Sequence, residues 1–470
     1  MVTVTHEQSE AALRVDLEAI DELAKKPAPG AHRLKDILDK ARERVGLELG
    51  EAAELLQVRD PEAREQVLAI AREVKEGIYG RRMVLFAPLY ASNECANNCL
   101  YCAFRRGNTD LLRRTLTVEE IGGEVCALEE MGHKRVLLVL GETPKTGVEY
   151  AVGAVRAIYE TKVGRGEIRR VNVNMAPLSV KDFRELKAAG IGTYQCFQET
   201  YHPEQYRHLH PSGQKADMAW RMGAFDRAFE AGIDDVGMGV LYGLYDHRFD
   251  TLALLAHAQY LDTRYDVGPH TISFPRIEPA QNAPAAERVP YPVSDDEMLL
   301  VVAALRLSVP YTGIIMTTRE RPELRRELLK VGVSQLSAAS RTYPGAYADG
   351  RAHVEEEEQF ALGDTRSLDL VIRELAESGY IPSFCTACYR LGRTGHEFMD
   401  KAKPGKIQSF CTPNALLTFD EYLLDYASPE TRAAGENVIA EALGEVAPSL
   451  RPTVEKRLAR IGAGERDLYL

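Results

Sequence analysis

Cys95-Ala-Asn-Asn-Cys99-Leu-Tyr-Cys102 sets three thiols within one short loop, and Cys385-Thr-Ala-Cys388, followed after a gap by Cys411, makes a second set of three. In a reducing compartment such tight groups read as metal sites rather than disulfides. Three thiolates can hold three irons of a four-iron cluster and leave the fourth iron open, the position at which a metal site does chemistry. Zinc is the competing reading. It normally takes four ligands, and none obvious follows Cys102, whereas His396 is available as a fourth beside the second triplet. A ligand to a further iron can also reach across from elsewhere, and His270 is placed for that, although a lone histidine at a strand start is more often a hydrogen-bonded structural residue. The two remaining cysteines, Cys126 and Cys196, fall in a helical and a strand-like pattern and read as buried small hydrophobes.

What must position these groups is legible from the patterning. LKDILDKARERVGLELGEAAELLQV and REQVLAIAREVKEGIYG repeat apolar residues at three and four, so residues 1–80 are expected to form a helical extension. Strand-like runs follow at 83–90, 135–141, 169–176, 192–200, 234–243, 270–277, 312–320 and 334–340, separated by amphipathic segments and by turns such as GRGEIRR and AAGIGT. Eight β–α pairs predict an α/β fold, a complete (β/α)8 TIM barrel over 81–345. Residues 346–470 then form a C-terminal segment carrying the second triplet. The acidic stretch ADGRAHVEEEEQFALGD (348–364) reads as a solvated loop. The first triplet comes just after the first strand, at the C-terminal mouth where barrel active sites lie. That position and the spacing together point to a radical S-adenosylmethionine (SAM) cluster. The amino and carboxylate groups of SAM fill the open iron, and an electron from the cluster breaks the sulfonium C–S bond.

Composition is globular, with 45% hydrophobic and 27% charged residues, and the net charge of −12 argues against a nucleic-acid partner. No run approaches a membrane span, and the N-terminus has neither a secretory nor a transit-peptide pattern, so a cytoplasmic protein is expected.

The surroundings of the first triplet resemble the radical SAM superfamily. Tyr101 stands where that superfamily places an aromatic beside adenine. Leu140-Gly141-Glu142-Thr143-Pro144 looks like its Gly-Gly-Glu element, which hydrogen-bonds the SAM amino group, with Leu140 in place of the first glycine. Glu199 is placed for the ribose hydroxyls and Arg221, opening the next helix, for the methionine carboxylate. Both are equally readable as surface charges. Gly237 and Gly239 read as points of close backbone approach.

With both triplets in view, the chain resembles the HydG family, the radical SAM tyrosine lyases that mature [FeFe]-hydrogenase. The resemblance spans nearly all of 30–425 and rests on blocks such as RRMVLFAPLYASNECANNCLYC, GIGTYQCFQETYHPEQY, AGIDDVGMGVLYGLYD, VGPHTISFPRIEPA, VPYTGIIMTTRERPELRRELL and IPSFCTACYRLGRTGHEFM. The C-terminal cysteine pattern is its most specific part, since the related thiamine-pathway tyrosine lyase lacks it. The resemblance implies two [4Fe-4S] clusters, SAM, and cleavage of the tyrosine Cα–Cβ bond to p-cresol and dehydroglycine. Dehydroglycine then becomes carbon monoxide and cyanide at the second cluster, on a fifth iron held with a non-protein cysteine and by His270. It implies as partners an electron donor such as ferredoxin or flavodoxin and the other hydrogenase maturation proteins. For tyrosine, Arg319 suits the carboxylate, and Tyr90 and Ser337 lie where related lyases hold substrate. The bland alternative for Arg319 is an ion pair with Glu320 or Glu323. Gly395-His396-Glu397-Phe398 departs from the family, where Glu precedes His, and no role follows for His396; Asn93, Asn97 and Asn98 also receive none. Two other functions fit the same residues: a tyrosine lyase supplying dehydroglycine to another pathway, and a non-catalytic cluster scaffold.

Overall fold

The structure, a computed structural model, describes residues 15–350 and 357–470. The first fourteen residues, on which the leader reading rests in part, and Glu355 and Glu356 of the acidic run lie outside the described residues.

Among the described residues, four helices, Leu17–Ala24, Ala31–Arg42, Leu49–Leu55 and Pro61–Tyr79, precede the barrel. The fourth starts where its chemistry says it should. Asp60 accepts from the Ala63 N–H, and Pro61 occupies the first turn, where no amide donor is missed. Val67, Ala71, Val74 and Ile78, spaced by four, three and four, are almost fully buried. They form the stripe that lays this helix against the barrel's outer helix Asp295–Ser308.

Eight strands follow: β1 Arg82–Ser92, β2 Arg135–Leu140, β3 Arg170–Asn174, β4 Tyr194–Glu199, β5 Val236–Val240, β6 Thr271–Ser273, β7 Gly313–Met316 and β8 Gln335–Ser337. Each pairs in parallel with the next, and β1 pairs with both β2 and β8, so the sheet closes into a complete (β/α)8 barrel. The last three strands are shorter than the apolar runs that announce them. Pro275 has no N–H for the ladder, and Ala339 sits at φ 52°, so the chain leaves the sheet and becomes mouth loop. Among the described residues no helix is long and apolar enough to cross a membrane.

A ninth strand, β9 Ile381–Ser383, has no counterpart in the periodicity, because three residues containing a proline carry no readable period. It pairs with the start of β1, from Arg82↔Ile381 to Val84↔Ser383, while β8 takes the other edge of β1 and β2 begins pairing only at Ala87. The C-terminal segment is thereby stitched to the N-terminal end of the barrel, and Cys385 follows β9 by two residues.

The interior departs from the usual filling of such barrels by branched apolar side chains. Its middle holds Gln195, Thr271 and Gln335 beside two glycines. A Cβ on Gly237 would stand 2.5 Å from Thr271 Oγ1 and 2.8 Å from Gln195 Cγ; one on Gly313 would stand 2.4 Å from Gln335 Nε2. The expected close approach at Gly237 is therefore to polar side chains that cross the barrel. Gly239 lies as tightly against the Ser273 carbonyl and the Phe197 ring. Cys196 is buried as expected, but Cys126 is only half-buried. It falls one position off the stripe of Ile121, Val125 and Leu128 that the helix Val118–Glu130 presents to the barrel.

Candidate active site and second thiol site

Past the end of β1 the chain enters the loop that carries the first triplet. Arg113 holds this loop from within. Its guanidinium donates to the carbonyls of Asn93, Phe104, Arg105 and Asn108 at 2.6–2.9 Å. The three asparagines left without a role are the rest of this scaffold. Asn93 accepts from the Arg114 N–H at 2.7 Å, Asn98 Oδ1 accepts from Arg105 and Gly107, and Asn97 donates to Glu142 at 2.6 Å while accepting from the Lys215 N–H. Cys95, Cys99 and Cys102 face one cavity at the C-terminal mouth, of about 1310 Å³ with its open entrance included. Burial pushes the Cys95 thiol up to about 11 and Cys99 up to about 12. Three thiols on one wall, Cys99 buried and Cys95 and Cys102 partly so, become stable thiolates beside compensating cationic charge, which is what soft iron or a cluster supplies.

Beside the thiols stands a charge quartet. Arg221 donates to Glu142 at 2.9 Å and to the Phe197 carbonyl at 2.6 Å; Lys215 Nζ lies 2.6 Å from Glu199 Oε1. All four side chains line the cavity. Burial works against ionised Glu142, but Arg221 and Lys215 outweigh it and hold the carboxyl below its usual range. Two acids and two bases facing one space match the ammonium and carboxylate of an amino-acid zwitterion such as the methionine end of SAM. Glu199 reaches inward because its backbone sits at φ 72°, where β4 bulges against β5. Such left-handed strain is uncommon away from functional positions. Arg221 lies in the last turn of the short helix Met218–Met222 rather than opening a helix, and it is buried, so the surface-charge alternative falls for it and for Glu199. Tyr101 is buried at the same wall, its hydroxyl 2.8 Å from His210 Nε2. Gly141 closes tightly on the thiol loop, a Cβ there standing 2.1 Å from the Glu94 carbonyl oxygen. Lys215 belongs to no motif, and its approach to Glu199 is created by the turn after helix Pro203–Leu209.

Arg319, Tyr90 and Ser337 line the same cavity. The bland alternative for Arg319 fails: Glu320 is taken by Arg276, at 2.5 Å, and Glu323 faces Arg321 and Arg326. Arg319 instead stacks its guanidinium on Phe360, 3.2 Å from the ring centroid, and among the described residues its side chain donates to the Arg276 carbonyl, at 3.5 Å. The acidic stretch departs from the expected solvated loop at Glu358–Phe360, while Ala348, Asp349 and Gly350 are exposed as expected. Among its described residues Glu358 and Phe360 are buried, and Gln359 accepts from the Tyr90 hydroxyl at 2.8 Å while its amide lies 3.4 Å from Cys102 Sγ. The Gln359-Phe360 pair folds over the site, and a run of glutamates before it masked that in the sequence.

Cys385, Cys388 and Cys411 face a second cavity at the opposite, N-terminal end of the barrel. With them are Arg82 and Val84 from the start of β1, Arg135 from the start of β2, Gln335 from the start of β8, and His270 just ahead of β6. Cys411 arrives in the first turn of helix Gln408–Asp425, packed under β9. His270 Nε2 lies 3.1 Å from the Tyr389 hydroxyl and Nδ1 lies 3.6 Å from Asp235 Oδ2. Burial, reinforced by Arg135, Arg170 and Arg82, lowers its pKa against the pull of Asp235, so the imidazole is neutral at neutral pH, the form that ligates metal. His396, the fourth ligand that zinc would require, is exposed and turned to Asp266, away from this cavity. Among the described residues, no three His, Cys, Asp or Glu side chains converge as a single ion would need, whereas a cubane spreads its thiolates apart. The soft donor set of the second triplet fits such a cluster, with His270 on the same cavity wall.

The comparisons agree with this geometry. Residues 89–256 match the model of the radical SAM superfamily and residues 273–381 that of the biotin and thiamin synthesis associated domain. The chain is 33% identical over 321 residues to 2-iminoacetate synthase of Escherichia coli (strain K12), covering 68% of this chain and 81% of that protein. It superposes on the crystal structure of HydG, a maturase of the [FeFe]-hydrogenase, with a TM-score of 0.92 at 47% identity, covering 97% of this chain and 98% of that one. The HydG structure from Carboxydothermus hydrogenoformans gives 0.82 at 42% identity, covering 97% of this chain and all of that one. With two thiol triplets at opposite ends of one closed barrel and these likenesses along almost its whole length, the chain belongs to the HydG family of radical SAM enzymes.

Proposed function

We propose that the protein is a tyrosine lyase that cleaves the Cα–Cβ bond of L-tyrosine at the first site and converts the released dehydroglycine to carbon monoxide and cyanide at the second, for assembly of an [FeFe]-hydrogenase cofactor. One observation carries this reading: two thiol triplets face a single barrel interior from its two ends. Along β1, β2 and β8 the two cavities are separated by one inward-facing step, Val84 to Phe86, Arg135 to Leu137 and Gln335 to Ser337, and the layer between is polar and glycine-rich. On this reading a small polar fragment passes between the two cavities by displacing the long side chains of Gln195 and Gln335.

When bound, the first cluster and SAM together supply the adenosyl radical that takes a hydrogen from the substrate. The chain's own residues bind and orient. Glu142, Glu199, Lys215 and Arg221 receive the SAM zwitterion and ribose, Tyr101 lies beside the adenine, and Arg319 takes the tyrosine carboxylate, with Tyr90 and Ser337 along its side. Phe360 and Gln359 cover the bound molecules. At the second site Cys385, Cys388 and Cys411 hold the auxiliary cluster. His270 presents a neutral imidazole to the fifth iron, the substrate metal that carries the products away with a free cysteine. An external one-electron donor and an accepting maturation protein are the partners this scheme requires.

Arg319→Ala is expected to weaken tyrosine binding by about 2–4 kcal/mol, because the substrate carboxylate loses a charge-assisted bidentate partner. Equilibrium binding of tyrosine to SAM-loaded protein checks this, and unchanged affinity places the anchor elsewhere. His270→Ala acts more narrowly. It leaves the thiolates in place but removes one ligand of the fifth iron, so affinity for that iron should fall roughly 10–100-fold or more, lowering its occupancy and the product yield. Electron paramagnetic resonance of the second cluster and its extra iron reads this directly.

The decisive experiment is product and metal analysis on anaerobically reconstituted protein. The reading expects about eight irons or slightly more per chain, p-cresol from tyrosine, and iron-bound carbonyl and cyanide in the infrared. Zinc at the second triplet with one cluster's worth of iron refutes it. The likeness to 2-iminoacetate synthase supports a second reading, a tyrosine lyase whose product feeds another pathway. p-Cresol without gas or cyanide from fully loaded protein selects that one.

A further inference from the structure

The second cavity has an electrostatic feature that the cluster thiolates do not exhaust. Two arginines, Arg82 and Arg135, point into it, and none of its lining residues is acidic. Arg82 is 7% exposed, yet among the described residues its guanidinium forms no hydrogen bond and no ion pair; it faces the Tyr79 ring, 5.2 Å away, and its charge acts on the Cys385 and Cys388 thiols. Arg135 donates once, to the Cys385 carbonyl at 2.8 Å, and its buried Nε has no partner. Asp235, outside the cavity lining, lies between Arg170, 3.9 Å away, and His270, 3.6 Å away. Buried guanidinium groups are normally paired, because an unpaired one forfeits its hydration without replacement. An oxidised four-iron cluster on three thiolates carries one net negative charge and answers only one of these two cations. The other is left for an anion small enough for the enclosed space.

We propose that Arg82, assisted by Arg135, forms a carboxylate-binding site at the N-terminal end of the barrel that captures the carboxylate of a two-carbon α-imino or α-keto acid beside the second thiol triplet. This rests on the reading that such a fragment travels down the barrel. The planar guanidinium offers a two-pronged carboxylate contact that a lysine cannot reproduce. Arg82 and Val84 alternate inward on β1 just below Phe86, so a fragment leaving the first cavity meets Arg82 on entering the second. A second source of the same chemistry is the carboxylate of a free α-amino acid such as cysteine.

The test uses full-length protein with both clusters reconstituted and its iron content verified. Glyoxylate, the stable α-keto analogue, is titrated while the resonance spectrum of the second cluster is recorded; L-cysteine is titrated separately. In the wild-type protein glyoxylate should perturb the spectrum. Arg82→Met should weaken its binding about tenfold or more, and Arg82→Lys, which keeps the charge facing the cluster, a few-fold. Where Arg82→Met loses iron, Arg82→Lys alone carries the comparison. During turnover, imine that is not captured reacts with water to give glyoxylate and ammonia. The ratio of free glyoxylate to p-cresol should therefore rise towards one in the variants. Equal glyoxylate affinity and equal ratio in wild type and both variants overturn the proposal, as does a loss confined to cysteine. Wild-type protein that makes p-cresol and glyoxylate one-for-one, with no cyanide, sinks the two-site reading instead, and the titration still decides the fate of Arg82.

Discussion

Replacing Cys385 and Cys388 together by alanine is expected to abolish iron-bound carbonyl and cyanide while p-cresol formation continues, at a reduced rate. The physical reason is separation. The two residues lie at the N-terminal end of the barrel, after β9, whereas the groups that would hold SAM and tyrosine gather at the C-terminal mouth. Cys411 alone cannot hold a four-iron cluster, so iron content should fall by about half. The expected infrared signal is background, a larger change than His270→Ala produces, since that variant keeps all three thiolates. β9 is held by backbone pairing to β1 and by the buried Ile381 rather than by the thiols, so the barrel should survive the change. Carbonyl bands at full strength in the double variant would falsify the division of labour between the two ends.

Cys95→Ala is expected to act at the other extreme and remove everything: SAM cleavage, p-cresol and all later products, each to the detection limit. Two thiols remain where three are needed, and no neighbouring side chain can substitute. The nearest polar groups on that wall are Asn97, Glu142 and Gln359, each already committed to a hydrogen bond. The loop itself should persist, because Arg113 and the asparagines hold it through backbone carbonyls and amides rather than through the thiols. The second cluster should still assemble, leaving about four irons. 5′-Deoxyadenosine measured alongside iron checks both halves of this expectation. Deoxyadenosine at the wild-type rate would mean that SAM is cleaved elsewhere.

Comparing these two variants shows where the sequence was sufficient. Cys95, Cys99 and Cys102 declare themselves because their ligand spacing is local: the chemistry needs three thiols on one short loop, and a loop after a strand is short in sequence as well as in space. The eight parallel strands are legible for a similar reason, since buried strands must alternate with amphipathic helices to cover both faces of the sheet. Tyr90, Gly141, Glu142, Glu199, Arg319 and Ser337 could be placed at strand ends, and strand ends form the mouth.

What the tertiary structure alone decided is which of these groups meet. Lys215 and Glu199 are sixteen residues apart and touch only because a φ of 72° turns Glu199 inward. Gln359 and Phe360 look like the tail of an acidic loop until the chain folds them over Cys102 and Arg319. Arg319 could be paired with its sequence neighbours on paper, but Arg276, from another mouth loop, claims Glu320 first. Most of all, the second triplet could be assigned to any surface of the barrel until β9, three residues with no readable period, pairs with the start of β1 and fixes it beneath the N-terminal end beside His270. Ligand spacing and strand periodicity are properties of neighbouring residues, and a sequence carries them openly. The meeting of distant side chains across a closed barrel depends on strand register and loop path, which are set by the packing of the whole chain.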